Sequence, residues 1–121
     1  MKRLLILIVI LLSFGYAIDM PNASEQFYVV QGMFADLNIT PTDCPQKDDY
    51  VNFACGNYPG SFDSFKLHLQ THISTKLPGL SLINDWFDNA GAALRMYTSS
   101  TGTYFFAYNP KGFIVVAFIP K

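Results

Sequence analysis

Roughly the last forty residues consist of short apolar runs separated by turn sequences, and this pattern constrains the fold more than any other feature of the chain. The turn sequences are DNAG at residues 88–91, STG at 100–102 and NPKG at 109–112. Connections as short as these join antiparallel neighbours. We therefore predict a meander of four antiparallel strands, over residues 80–87, 92–99, 103–109 and 113–119.

Two helices and one further strand are predicted before this meander. Ser24 is a good N-cap for a helix over residues 25–37, and residues 18–23 then form a loose leader. A polar loop over residues 38–49 leads to a strand over residues 50–58, and Ser61 caps a second helix that ends near residue 76. The order α-β-α-β-β-β-β predicts an α+β two-layer sandwich, in which two helices pack on a mainly antiparallel sheet of about five strands.

The last strand is apolar on both sides, which is unusual for a sheet with one solvated face. Phe113, Val115, Ala117 and Ile119 alternate with residues that are equally apolar, Ile114, Val116 and Phe118. We expect the second face of the sheet to be covered. The cover is either a helix on each face, or a subunit interface such as a homodimer, or an apolar or extended ligand.

Arginine and tyrosine residues on the middle strands are the candidate binding residues. Arg95 and Tyr97 alternate with Leu94 and Met96, so we expect them to mark the more polar face of the sheet. Tyrosine and arginine are enriched at binding hot spots. The candidates are therefore Arg95, Tyr97, Tyr104 and Tyr108.

The amino terminus has the three parts of a secretory signal peptide. Lys2 and Arg3 precede an apolar run over residues 4–14, and the small residues Gly15 and Ala17 follow. The uncharged run over residues 4–18 is shorter than the roughly 20 residues that span a bilayer. We predict that residues 1–17 are a cleaved signal peptide and that residues 18–121 form a single small domain. We expect the mature domain to be secreted or periplasmic, without stable membrane insertion.

Cys44 and Cys55 both lie in the mature part of the chain, and we predict a disulfide between them. A redox-active pair is the alternative, but such pairs usually have the spacing Cys-x-x-Cys.

The mature part contains six Lys and Arg against nine Asp and Glu, a net charge of −3. This balance predicts no binding of nucleic acid or of an anionic membrane surface. Two glycosylation sequons, at Asn22 and Asn38, would be used only in a eukaryotic secretory pathway.

Candidate catalytic residues are few. His68 and His72 are four residues apart on the second helix, which is the spacing of a two-histidine metal clip, but a zinc site needs further ligands. Asp85 and Asp88 could imitate a carboxylate pair, although Asp is common where a strand enters a turn. We therefore predict neither a catalytic site nor a metal or other cofactor.

The sequence thus predicts a small noncatalytic binding module, whose partner is a protein or an envelope component. The alternative is a small secreted hydrolase or metal-dependent enzyme that uses His68 and His72 with Asp residues from the strand ends. That alternative requires both imidazoles to converge with a carboxylate in one pocket.

Overall fold

The computed structural model describes residues 20–45 and 51–121, so the predicted signal peptide lies outside the described residues. Helices and strands follow one another in this order: α1 (Met20–Asp36), β1 (Thr40–Thr42), β2 (Asn52–Asn57), α2 (Phe62–Lys76), β3 (Ser81–Asn89), β4 (Ala92–Thr98), β5 (Gly102–Asn109), a 3₁₀ turn (Pro110–Gly112) and β6 (Phe113–Pro120).

The strands form one antiparallel sheet in the order β1-β2-β6-β5-β4-β3. The predicted α+β sandwich is confirmed, as is the four-strand meander, which forms β3 to β6. The sheet has six strands rather than five, because β1 forms inside the segment that we predicted to be a loop. Gly56 of β2 makes room for this strand, since a Cβ at Gly56 would lie 2.7 Å from the carbonyl oxygen of Thr40. The short β1 therefore depends on a residue without a side chain.

Helix α1 begins earlier than its sequence predicts. Ser24 lies inside the helix rather than at its start, and the residues predicted as a loose leader supply the first turn. Pro21 does not prevent this extension, because the N–H groups in the first turn of a helix make no hydrogen bonds within the helix. The cap of α2 is as predicted, since the Ser61 hydroxyl accepts a hydrogen bond of 3.2 Å from the backbone N–H of Ser64.

Both helices pack on the same face of the sheet. The core between the layers is formed by side chains from both helices and from strands β2, β4, β5 and β6. They are Val29, Val30, Met33, Phe34 and Leu37 of α1, Phe65, Leu69 and Ile73 of α2, and Ala54, Tyr97, Tyr104, Phe106, Ile114, Val116 and Phe118 of the sheet. The interpretation that each helix covers one face is therefore wrong. The helices contact each other at Asp36, whose carboxylate bonds to both His72 and Lys76 of α2.

The opposite side of the sheet, which we call the helix-free face, is formed by the alternate residues of the strands. One row across the sheet runs Leu94, Ala107, Val115 and Cys55, and the next runs Met96, Phe105, Ala117 and Phe53. Residues Thr98, Thr103, Phe113 and Ile119 lie on the same face by alternation, as do Asn84 and Phe87, which pair with Met96 and Leu94. None of these strand residues carries a charge.

The predicted disulfide between Cys44 and Cys55 is confirmed, with a Cα–Cα distance of 5.3 Å. Cys55 is buried on the helix-free face, together with Ala107 and Val115, and Cys44 packs against this small cluster. The disulfide therefore joins the segment after β1 to the helix-free face and covers one corner of it.

Candidate binding surface at the sheet edge

The two edges of the sheet differ in how they are protected. Strand β1 has only three residues and contains Pro41, and short strands and prolines are common devices against edge-to-edge pairing. Strand β3 has nine residues and contains neither proline nor lysine. An edge strand presents a row of unpaired main-chain N–H and C=O groups. The long edge at β3 is therefore the open one.

Strand β3 also exposes large apolar side chains. Eight of its nine residues are exposed, and only Trp86 is half-buried. Leu82 and Ile83 are each 47% exposed and Phe87 is 37% exposed. Exposed apolar side chains are individually common, but three on one edge strand make β3 markedly apolar for an exposed edge.

Two irregularities in the pairing of β3 with β4 shape this edge. The register shifts between Leu82 and Asn84, and again between Asn84 and Phe87. Such bulges add a residue to one strand and change the direction of side chains. The second shift coincides with Trp86, whose ring packs beneath α2 at 5.2 Å from the ring of Phe62 and 6.0 Å from that of Phe65. Trp86 thus anchors the middle of β3 while the residues around it stay exposed.

Arg95 of the neighbouring strand β4 contacts the same part of β3. Its Nε lies 3.1 Å from Oδ1 of Asp85, and its guanidinium lies 5.8 Å from the ring centre of Trp86 and 5.5 Å from that of Tyr97. Nε is buried and makes no hydrogen bond of good geometry among the described residues, so charge and ring stacking hold the group. Asp85 Oδ1 also accepts a 2.8 Å hydrogen bond from the backbone N–H of Trp86. Asp85 lies in the middle of β3 rather than at the strand end where it was predicted.

The four predicted binding residues all lie on the face that the helices cover. Arg95 and Tyr97 are 8% and 5% exposed, Tyr104 is fully buried and Tyr108 is half-buried. The face that Arg95 and Tyr97 mark is therefore not open to solvent, and Arg95 is paired with Asp85 within an aromatic cluster. Burial raises the pKa of the Tyr97 hydroxyl, against the opposite effect of Arg95. A direct role of these residues in binding stays a prediction.

The hydroxyl groups of the other two tyrosines have partners inside the molecule. Tyr104 donates a 2.8 Å hydrogen bond to the carboxylate of Glu25, and Tyr108 donates one of 3.1 Å to the carbonyl of Gly60. Burial, and then the hydrogen bond to Glu25, raise the pKa of Tyr104. These contacts connect the sheet to α1 and to the loop before α2. Each hydroxyl already donates its proton within the molecule and cannot also donate it to a ligand.

His72 is buried between the helices. Its Nδ1 lies 2.7 Å from Oδ2 of Asp36, and Nζ of Lys76 lies 2.7 Å from the same oxygen. The hydrogen bond from Lys76 is the main reason that the pKa of the Asp36 carboxyl is lowered, with His72 acting in the same direction against burial. His72 Nε2 has no hydrogen-bond partner among the described residues, but a methyl group on Gly32 would lie 3.6 Å from it. Helix α1 therefore occupies the space beside this nitrogen.

His68 has a different set of partners. Its Nδ1 lies 2.9 Å from the carbonyl oxygen of Ser64 and 3.2 Å from the Ser64 hydroxyl. The Tyr58 hydroxyl lies 3.3 Å from the same nitrogen. The shortest of these contacts is to a carbonyl oxygen, which only accepts hydrogen bonds, and it is made by the tautomer that carries its proton on Nδ1. The two imidazoles thus point to separate partners. Within residues 20–45 and 51–121, no three His, Cys, Asp or Glu side chains are grouped so that they could hold a metal ion.

Comparison of the chain with protein-family models, with curated proteins and with solved structures gave no match. Across the two described ranges, no helix combines the length and the apolar content that crossing a membrane requires.

Proposed function

We propose that this protein is a small noncatalytic secreted or periplasmic module that binds an extended segment of a partner protein along β3. The observation that supports this proposal is the contrast between the two edges: β1 is short and contains proline, whereas β3 is long, exposed and apolar. The Cys44–Cys55 disulfide supports a location outside the reducing cytosol. No contact among the described residues favours the alternative of a hydrolase or metal-dependent enzyme.

Strand addition uses the main chain for affinity and the side chains for selection. The partner segment would extend the antiparallel sheet by pairing with the free N–H and C=O groups of β3. Phe87 pairs with Leu94 and lies on the helix-free side of β3, whereas Asp85 and Asp88 lie on the other side, next to Arg95 and Ala93. Phe87 would therefore contact every second side chain of that segment. The preferred partner therefore has apolar residues at alternate positions.

Charge selects among the partners that have this pattern. Asp85 and Asp88 are the charged residues of β3, and the strand has no basic residue. The side chain of Asp85 is 70% exposed despite its contact with Arg95. A second copy of β3 on this edge would bring Asp85 and Asp88 of both copies to one seam, where Arg95 offsets only the charge of Asp85. Like charges opposite each other destabilise a strand pair. The partner segment we propose therefore carries lysine or arginine and belongs to another protein.

A peptide titration tests this proposal. The probe is a synthetic nine-residue peptide in which valine alternates with lysine, matched to the nine residues of β3. We expect saturable binding and slower hydrogen exchange in the amides of β3. Methylating two adjacent central amides of the peptide blocks both of its edges, and we expect affinity to fall at least about tenfold. Replacing the lysines by glutamates should have a similar effect.

Two protein variants complete this test. Ile83→Asn removes an exposed apolar side chain from β3, and Leu67→Asn removes one that is 63% exposed on α2. We expect Ile83→Asn to weaken binding of the lysine peptide several-fold and Leu67→Asn to leave it unchanged. Equal binding of the methylated peptide, or exchange protection away from β3, would show that the edge is not the binding surface.

A further inference from the structure

We infer that the helix-free face packs against the same face of a second copy of the chain, so that the protein forms a dimer of face-to-face sheets. This inference concerns the face of the sheet rather than its β3 edge. The two surfaces meet at Phe87, and tests at residues away from it can fail separately. It starts from the apolar second face of the sheet, which the described helices leave uncovered because both lie on the other side.

The helix-free face is only partly covered within one molecule. Cys55, Ala107 and Val115 are buried at the corner where Cys44 packs. Away from that corner the central residues Met96, Phe105 and Ala117 are half-buried, and Ile119 is 40% exposed. In the parts of the chain that the structure describes, no second layer lies over these side chains.

The absence of charge on this face favours a second copy as its occupant. The strand residues of the face are apolar, or carry hydroxyl or amide groups, as at Thr98, Thr103 and Asn84. Two such faces match each other without any pairing of charges, although the mature domain has a predicted net charge of −3. The β3 edge differs in this respect, because self-pairing there would oppose carboxylates. A twofold dimer places the same patch of both subunits in contact, and an uncharged apolar face meets itself there without repulsion.

The size of the face is sufficient for a modest dimer. It spans five strands, which are spaced about 4.8 Å apart, and extends about 20 Å along the strand direction. Treated as a flat rectangle, the face has an area on the order of 500 Å² per copy. Stable specific interfaces bury about 800 Å² per partner, so this face is below the standard size and the dimer should be weak and dissociate on dilution. Aligned packing of two sheets about 10 Å apart is the arrangement found in β-sandwiches. Both β3 edges remain free at the sides of such a dimer.

Sedimentation velocity of the purified, oxidised protein over a range of concentrations tests the inference. We expect a concentration-dependent shift from monomer to dimer. Ile119→Lys places a charge on the face at a position that is already 40% exposed, so the monomer should tolerate it. We expect this variant to raise the dimer dissociation constant at least about tenfold. Leu67→Lys, on the outer surface of α2, is the matched control and should leave the constant unchanged.

A central substitution, Phe105→Lys, should abolish the dimer, and circular dichroism reports whether that variant folds. Should it not fold, Ile119→Lys alone decides the outcome. A protein that stays monomeric at the highest concentration contradicts the inference. So does a dimer that Ile119→Lys leaves intact, or one that Leu82→Asn disrupts. Leu82 pairs with Tyr97 on the helix-covered side, so the last result would place the contact at the β3 edge.

Discussion

Glu25 of α1 accepts three hydroxyl hydrogen bonds, and a double-mutant cycle with Tyr104 should reveal how strongly this contact stabilises the fold. Oε1 of Glu25 accepts from the hydroxyls of Ser99, Thr101 and Tyr104, which lie on the turn between β4 and β5 and on β5 itself. Tyr104 is fully buried, whereas the two turn hydroxyls lie 3.0 Å from each other and remain mutual partners without Glu25. The Tyr104 hydroxyl is thus the group that most depends on Glu25.

The expected free energies follow from this difference. Glu25→Ala leaves the buried hydroxyl of Tyr104 without a partner and removes bonds to a charged group, so we expect the free energy of unfolding to fall by about 3 kcal/mol. Tyr104→Phe removes one such bond and should lower it by about 2 kcal/mol. The double variant has no orphaned hydroxyl and should lose about 3 kcal/mol rather than the sum. The coupling energy is then about 2 kcal/mol.

Urea denaturation followed by the fluorescence of Trp86, the single tryptophan of the chain, measures these free energies. The control pair is Glu25→Ala with Tyr108→Phe, because the Tyr108 hydroxyl bonds to Gly60 near the start of α2. Those two changes should be additive. A coupling between Glu25 and Tyr104 below about 0.5 kcal/mol would refute the interpretation that the carboxylate and the hydroxyl act as one unit.

Two further predictions concern covalent and charged contacts. Replacing Cys44 and Cys55 by alanine should lower the free energy of unfolding by about 3 kcal/mol, because the disulfide closes a short loop in the unfolded chain; urea denaturation with and without reductant checks this. The pKa of Asp36 is lower in the folded protein than its ordinary value of 3.8, so its contribution to stability is present above that value and is lost as the pH falls through the folded pKa. Denaturation of the wild type and of Asp36→Asn between neutral pH and about pH 3 should give curves that converge at the acid end, and parallel curves would contradict the assignment.

The meander was predictable because each of its turns is encoded locally. The sequences DNAG, STG and NPKG leave room only for short reversals, and short reversals require antiparallel neighbours. The disulfide was predictable for a different reason, because the mature chain has only two cysteines and export is predicted. Strand β1 was not, because its pairing depends on the missing side chain of Gly56, which lies about 16 residues further along the chain. Local propensity does not report such a close approach.

The burial of Arg95 was not predictable for a similar reason. Alternation along β4 correctly placed Arg95 and Tyr97 on one face and Leu94 and Met96 on the other. It did not indicate which face the helices would cover, since both faces were largely apolar. The charge of Arg95 suggested solvent, but the shifted register of β3 places Asp85 and Trp86 beside it, and these two residues make its burial tolerable. A signal for the open edge was present in the adjacent apolar pair Leu82 and Ile83, which breaks the alternation expected of a strand with one buried face.

Most of the polar side chains that could recognise a ligand are instead bonded within the molecule. Glu25 holds Tyr104, Asp36 holds His72, and Asp85 holds Arg95. What β3 and the helix-free face offer to a partner is therefore main-chain hydrogen bonding and apolar area. Surfaces of this kind discriminate weakly between sequences, since any extended chain supplies the same N–H and C=O groups. The selection that remains comes from the alternate apolar contacts and from the carboxylates of β3, so partner segments should share a pattern of apolar and basic residues rather than a fixed sequence.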